Sequence, residues 1–131
     1  MTTRDTPAAL PGRVRITQGF TFEAAHFLPN VPETHRCRRV HGHSYRVDLA
    51  LEGPVDPVTG FVVDFFDVEN AFGPLLKQLD HYCLNDIDGL ENPTAEIIAA
   101  WIWTRMKPLL PTLASVRVYE TPMSFAEYAE G

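Results

Sequence analysis

Three histidines in this sequence have the residue type and spacing of a metal site. His41 and His43 are separated by one glycine, and alternate residues of a β-strand point to the same face. His26 lies at the end of an earlier predicted strand and can supply a third imidazole. Neutral imidazoles suit Zn²⁺, and three protein ligands with an open fourth position form a catalytic zinc site. The pattern therefore predicts a zinc centre at His26, His41 and His43.

Two other interpretations of these histidines stay open at the level of the residues. They could be polar side chains that are hydrogen-bonded separately and share no ligand. They could also form a closed structural zinc site with Cys37 as the fourth ligand. The structural site is the weaker of the two, because a chain of 131 residues is long enough to build a core without a metal.

Cys37, four residues before His41, is a candidate general base. It lies in a run of arginines, and neighbouring positive charge lowers the pKa of a thiol. A thiolate beside a metal-bound substrate can remove a proton. An inert thiol in a loop is the alternative interpretation.

Asp80 and His81 are adjacent at the predicted end of a helix. A carboxylate beside an imidazole can hold the ring in one tautomer and raise its basicity, which suits proton transfer. Adjacent Asp and His residues are also common on surfaces, so this pair needs support from its position in the fold.

Hydrophobic periodicity predicts the elements that position these residues. Alternating apolar side chains predict strands at residues 14–26, 43–52, 61–63, 113–119 and 125–128. Apolar side chains at helical spacing predict two helices between the third and fourth strands, with Asp64 and Asn92 as their N-caps. The order of elements favours an α+β fold over alternating βαβ units.

Length and composition limit the class of protein. Residues 1–12 are expected to be a flexible leader, and residues 13–131 a single domain. A formal net charge of −6 does not favour nucleic acid or an anionic membrane as a partner. No apolar stretch is long enough to span a bilayer and residues 1–13 lack an apolar signal region, so a cytoplasmic location is expected. Two cysteines are too few for a disulfide scaffold.

Four ordered motifs resemble the 6-pyruvoyl-tetrahydropterin synthase superfamily. They lie at residues 20–26, 35–43, 79–86 and 92–96. The resemblance extends from about residue 19 to residue 121, and it depends on the combination of motifs. The spacing of Cys37, His41 and His43, together with residues 60–65, resembles the bacterial 6-carboxy-5,6,7,8-tetrahydropterin synthase branch.

The resemblance implies a role for each candidate residue. It implies that the three histidines bind zinc, that Cys37 abstracts a proton, and that Asp80 and His81 serve a later proton transfer. It also implies that Glu120, followed by Thr121, anchors a pterin. A carboxylate suits this task because it can accept both parallel N–H donors of the pterin edge.

The resemblance further implies a tunnelling fold, in which a four-stranded antiparallel sheet carries two helices on one face and subunits join into a barrel. The implied assembly is a homo-oligomer, a hexamer built as a dimer of trimers. The implied substrate is 7,8-dihydroneopterin triphosphate, converted to 6-carboxytetrahydropterin, acetaldehyde and triphosphate in queuosine biosynthesis. Three arginines are candidates for binding the triphosphate, with solvated loop charges as the alternative: Arg36, Arg38 and Arg39.

Two rival functions remain at this stage. A 6-pyruvoyl-tetrahydropterin synthase would share the metal and the substrate, and a noncatalytic zinc-stabilised interaction module would need a closed metal site. The sequence also departs from the family pattern. Cys83 stands where a bulky polar or aromatic residue is usual, and Met123 and Phe125 differ from the pattern expected after the pterin anchor.

Overall fold

A computed structural model describes residues 9–131, so residues 1–8 of the predicted leader lie outside the described residues. Regular structure begins at Arg13, as the sequence predicts. The described residues form four strands: β1 (Arg13–His26), β2 (His41–Pro54), β3 (Leu113–Thr121) and β4 (Ser124–Tyr128). All neighbouring pairs are antiparallel in the order β1-β2-β3-β4, so the chain forms an antiparallel meander.

Two α-helices connect β2 to β3. Helix α1 spans Phe65–Leu79 and begins at Asp64, whose side chain accepts a hydrogen bond from the N–H of Phe66. Helix α2 spans Ala95–Met106 and begins at Thr94, whose hydroxyl accepts from the N–H of Ile97. No helix in residues 9–131 is long and apolar enough to cross a membrane.

Both helices pack on one face of the sheet. Alternate strand residues turn inward, and Phe22, Tyr45, Val47 and Val118 are each at most 2% exposed. The rings of Phe22 and Tyr45 stack at 4.8 Å between centroids, on opposed positions of β1 and β2. These side chains form one core with buried residues of α1 and α2. The predicted α+β arrangement of a four-stranded antiparallel sheet and two helices is confirmed.

Two local predictions are wrong. Residues 61–63 do not form a strand, because the carbonyl of Phe61 accepts from the N–H of Asp56 inside a turn instead of pairing with a strand. Helix α2 begins after Thr94, two residues later than the predicted cap Asn92. Both residue types are good N-caps, and the choice is made by tertiary structure, since the carbonyl of Pro93 accepts a hydrogen bond from β1.

Candidate metal centre and adjoining clefts

The three predicted metal ligands meet at the end of the β1–β2 ladder. His26 is the last residue of β1 and is paired with His41, the first residue of β2, while His43 follows two positions later on the same face. One ring nitrogen of each histidine lies within 4.8 Å of those of the other two. The three histidines lie on the face of the sheet that points toward the helices, just beyond the apolar residues of the core.

Backbone carbonyls hold two of the three rings. Nδ1 of His26 donates to the carbonyl of Pro93 at 2.8 Å, and Nδ1 of His41 donates to the carbonyl of Arg39 at 2.7 Å. In neutral rings these bonds assign the proton to Nδ1 and leave a lone pair on Nε2. Metal-binding histidines in proteins are commonly oriented in this way by a second partner.

The remaining nitrogens fit a cation. Nε2 of His26 and Nε2 of His43 are buried and have no hydrogen-bond partner within the described residues. A buried polar atom without a partner costs on the order of 1–3 kcal/mol, and a cation bound by both nitrogens would remove this cost. Three neutral imidazoles are a donor set suited to Zn²⁺.

Burial favours the neutral form of two of these imidazoles, His26 and His43. Burial lowers the pKa of His26 and of His43 below the ordinary value for histidine. The negative charge of Glu120 acts in the opposite direction on both rings but is the smaller effect. Neutral histidine is the form that binds a metal.

Glu120 lies beside this centre without joining it. Glu120 follows Val118 by two positions, so its side chain points toward the same inward face of β3. The register between β3 and β4 is irregular at this point. The carboxylate of Glu120 is not among the grouped ligand atoms. It lines a cleft of about 650 Å³ together with Thr94, Glu96 and Phe125.

Thr121 and Glu120 are not brought into the same cleft. Thr121 lines a separate depression of about 410 Å³ with Ser44, Arg46 and Tyr119. Successive residues of a strand point to opposite faces, which accounts for the separation. The two residues expected to bind a pterin therefore face different sides of β3.

Asp80 and His81 are joined through their side chains at the edge of β1. Oδ2 of Asp80 lies 3.0 Å from Nδ1 of His81, and Oδ1 accepts from the N–H of Glu23 at 2.9 Å. The bond from Glu23 is the main reason that the pKa of Asp80 lies below its usual value, with His81 adding to it. His81 has a left-handed backbone with φ of 68° and an exposed side chain.

His81 opens onto the same cleft as one metal ligand. This cleft, about 470 Å³ in volume, is lined by His43, His81 and Cys83 and by the neighbouring edge of β1. The side chains of Glu23 and Ser44, hydrogen-bonded to one another at 2.7 Å, place this cleft on the face of the sheet opposite the three imidazoles. Cys83, noted above as a departure from the family pattern, is part of this cleft and forms a parallel bridge with Ala25.

Cys37 lies in the loop before β2, in a short 3₁₀ helix at Arg36–Arg38. Nδ1 of His35 accepts a hydrogen bond from the N–H of Cys37 at 3.0 Å and so caps this turn. The thiol is not among the grouped ligand atoms, so the closed site of one cysteine and three histidines is not formed in the described chain.

The neighbouring arginines differ in their surroundings. Arg38 is half-buried and donates to the carbonyl of Val31 at 2.9 Å, which ties the loop together. Arg36 and Arg39 are exposed. Of the three candidates for a phosphate contact, these two have the more accessible guanidinium groups.

Sequence reasoning missed the residues that support the centre from outside. Pro93 orients His26 across 67 residues of chain, and Asn85 holds Phe27 across 58 residues. Contacts of this range leave no local periodicity or spacing. The available signals were their places in the motifs at residues 79–86 and 92–96 and, for Asn85, an amide that can both donate and accept hydrogen bonds.

The chain is similar to known pterin enzymes over nearly its whole length. The sequence profile described as 6-pyruvoyl tetrahydropterin synthase matches residues 15–131. A Synechocystis protein named 6-carboxy-5,6,7,8-tetrahydropterin synthase is 44% identical over 119 residues, covering 86% of this chain and 91% of that protein. A Pyrococcus furiosus protein named dihydroneopterin monophosphate aldolase is 33% identical over 99 residues, covering 76% and 80%.

The fold is shared with a solved structure. Caenorhabditis elegans 6-pyruvoyl tetrahydropterin synthase superposes with a TM-score of 0.84 at 25% identity, covering 92% of this chain and 97% of that one. The subunit of the tunnelling fold implied by the sequence motifs, a four-stranded antiparallel sheet with two helices, is thereby confirmed.

Proposed function

This chain belongs to the 6-pyruvoyl tetrahydropterin synthase family, and we propose that it is a zinc-dependent 6-carboxy-5,6,7,8-tetrahydropterin synthase acting in queuosine biosynthesis. The proposed substrates are 7,8-dihydroneopterin triphosphate and one water molecule, and the products are 6-carboxytetrahydropterin, acetaldehyde and triphosphate. The observation that carries the proposal is the group of three imidazoles, of which His26 and His43 have buried, unpaired Nε2 atoms, beside the half-buried carboxylate of Glu120.

His26, His41 and His43 would hold the zinc ion. A bound zinc ion supplies Lewis acidity, which polarises substrate oxygens and makes the neighbouring C–H groups more acidic. The carbonyls of Pro93 and Arg39 fix two of these rings, so the ligands are oriented before any ion arrives. Three protein ligands leave a coordination position for substrate.

Proton transfer is assigned to Cys37 and to the Asp80–His81 pair. Cys37 would take a proton from the side chain of the substrate as a thiolate. His81 would serve the later transfer, with Asp80 holding its Nδ1 at 3.0 Å and leaving Nε2 to exchange the proton. His81 lines an open cleft of about 470 Å³ at the edge of β1, which supports a role for the pair at a substrate site.

Glu120 would bind the pterin ring. Its carboxylate faces the same side of the sheet as the histidines, and a carboxylate can accept two parallel N–H donors. Substrate bound there would extend its side chain toward the metal centre. Thr121, on the other side of β3, can contribute only from the neighbouring depression.

Assembly into a homo-oligomer is part of the proposal. β1 and β4 are the edge strands of the sheet, and joining sheets between subunits removes such edges. The face away from the helices carries charged side chains, among them Arg46, paired with Asp48 at 2.7 Å, and Arg117, paired with Glu127 at 3.0 Å.

The 6-pyruvoyl-tetrahydropterin synthase reaction is the second candidate, since it uses the same metal and substrate. The separation of Cys37 and His41 by three residues favours the carboxy enzyme. A noncatalytic zinc module is less well supported, because the thiol of Cys37 is not among the grouped ligand atoms.

Identification of the products tests the proposal. The purified zinc-loaded protein is incubated with 7,8-dihydroneopterin triphosphate, and the pterin product is identified by mass while acetaldehyde is trapped. A 6-carboxytetrahydropterin mass with acetaldehyde is expected. A 6-pyruvoyl product would assign the second candidate, and the same assay with dihydroneopterin monophosphate examines the substrate named for the Pyrococcus furiosus relative.

A further inference from the structure

Asn85 holds the chain where it leaves the metal-binding end of β1. Its Oδ1 accepts from the N–H of Phe27 at 3.0 Å, and its Nδ2 donates to the carbonyl of the same residue at 2.8 Å. The two bonds pair one side-chain amide with both backbone groups of one residue, as a neighbouring strand would do. Phe27 directly follows His26, so this clamp fixes the backbone on the C-terminal side of a metal ligand.

The same amide reaches the segment that orients the ring of His26. Nδ2 of Asn85 also lies 3.4 Å from the carbonyl of Glu91, two residues before Pro93. The carbonyl of Pro93 accepts the 2.8 Å bond from Nδ1 of His26. Asn85 therefore connects the backbone beside His26 with the loop that sets the direction of its imidazole.

The surrounding backbone extends this support along the edge of β1. The N–H of His81 donates to the carbonyl of Glu23, and the N–H of Ala25 donates to the carbonyl of Tyr82. With Phe27 held by Asn85, three alternate residues of the edge are fastened in succession. This series ends at Phe27, the residue after the metal ligand His26, and Asn85 supplies its last contact.

We propose that Asn85 is a positioning residue for the metal centre, which fixes His26 through Phe27 and through the residues 91–93. The proposal rests on the proposed metal-binding function of the three histidines. The amide of Asn85 bonds to backbone groups of Phe27 and Glu91, so it would act by restricting the movement of His26 before an ion binds. In metalloproteins, removing a group that orients a metal ligand alters the metal affinity by about 10- to 100-fold.

A purely structural role makes a different prediction. In that case loss of Asn85 would lower stability, and the metal affinity of the folded protein would stay the same. The chain offers a matched control in Trp101, whose Nε1 donates to the carbonyl of Asp88 at 3.0 Å. Trp101→Phe loosens the same loop, residues 80–94, without touching Phe27, Glu91 or Pro93.

The experiment measures binding of Zn²⁺ and Co²⁺ to full-length apo-protein by competition with a chromophoric chelator. Wild type, Asn85→Ala, Asn85→Asp and Trp101→Phe are compared, with folding checked by circular dichroism and urea unfolding. Asn85→Asp keeps the acceptor for the Phe27 N–H and loses both donated bonds. This variant replaces Asn85→Ala in the affinity measurement if the alanine variant does not fold. The visible spectrum of bound Co²⁺ reports ligand geometry independently of stability.

Asn85→Ala is expected to bind zinc about 10- to 100-fold more weakly and to show an altered Co²⁺ spectrum, with a smaller loss for Asn85→Asp. Trp101→Phe should bind as wild type does. Wild-type affinity in both Asn85 variants, or an equal loss in Trp101→Phe, would overturn the positioning role while leaving the metal site in place. A wild-type protein that binds neither ion would overturn the proposed function itself.

Discussion

The carboxylate of Asp80 and the backbone N–H of Glu23 are joined by a 2.9 Å hydrogen bond that ties the end of α1 to the edge of β1. The other oxygen of the same carboxylate holds His81 at 3.0 Å. One side chain thus has an anchoring contact and a contact with a candidate acid–base group. The two contacts can be separated experimentally, because an amide can replace only one of them well.

Asp80→Asn is expected to fold and to lose turnover, whereas Asp80→Ala should lose stability as well. The asparagine keeps an oxygen for the Glu23 N–H but carries no charge to orient and polarise His81. A decrease in kcat of about 10²- to 10⁴-fold is the scale of general acid–base catalysis. Urea unfolding and steady-state rates of the two variants test this, and unchanged kcat in Asp80→Asn would remove the pair from the mechanism.

The anchoring bond also predicts a dependence of stability on pH. The Glu23 N–H, with His81, holds the pKa of Asp80 below its usual value in the folded protein. A group with a lowered folded pKa stabilises the fold above its unfolded pKa, and this contribution is lost as pH falls through the folded pKa. The stability difference between wild type and Asp80→Asn should therefore shrink in acid. A difference that stays constant between neutral and acidic pH would contradict the assignment.

His41→Ala is expected to abolish stoichiometric zinc binding, because it removes one of three ligands. His81→Asn is the matched control, since His81 lies outside the ligand group and asparagine tolerates its left-handed backbone. Metal analysis of the purified variants should give about one zinc per chain for wild type and control. Full occupancy in His41→Ala would show that these imidazoles are not the ligands.

Cys37→Ala should lose turnover by about 10²- to 10⁴-fold and retain its zinc, because its thiol is assigned to proton transfer. Cys83→Ala, which removes the thiol next to His81, should have a mild effect. Rates and zinc content are measured on the same preparations. Loss of zinc in Cys37→Ala would favour the closed structural site instead.

Glu120→Gln should weaken binding of a pterin without the triphosphate by about 1.5–3 kcal/mol, the scale of one hydrogen bond to a charged group. An amide accepts only one of the two N–H bonds that a carboxylate accepts. Glu96→Gln is the control, since Glu96 lines the same cleft from α2. Titration calorimetry measures the pterin affinity of both variants and of wild type. If Glu120→Gln binds the pterin as tightly as wild type does, the pterin binds elsewhere.

Most of the fold could be predicted because its elements carry strong periodic signals. The alternation of Tyr45, Val47, Leu49 and Leu51 is the alternation that the sheet buries. The errors occurred where tertiary contacts chose between two good local options. Asn92 and Thr94 can both cap a helix, and the bond from His26 to the Pro93 carbonyl accompanies the start at Thr94.

The candidate site also has parts that local sequence patterns predicted and parts that depend on tertiary contacts. The spacing of His41 and His43 is local, so strand geometry alone predicted that they share a face. The placement of His81 at the edge of β1 depends on the packing of the end of α1 against that strand, and no local pattern encodes it. The separation of Glu120 from Thr121 was not anticipated, although strand alternation makes adjacent residues diverge.

The pairing of His26 with His41 has a consequence for how this protein can change by insertion or deletion. The two-residue alternation that buries Phe22 and Tyr45 is also the alternation that aims the histidines. Shifting a strand by one residue reverses every side chain on it. A one-residue insertion within β1 or β2 would therefore remove the core and the ligands together, whereas residues 27–40 can vary in length without altering that alternation. In this fold the positions of the metal ligands and of the core residues cannot change independently, because the single register of β1 and β2 determines both.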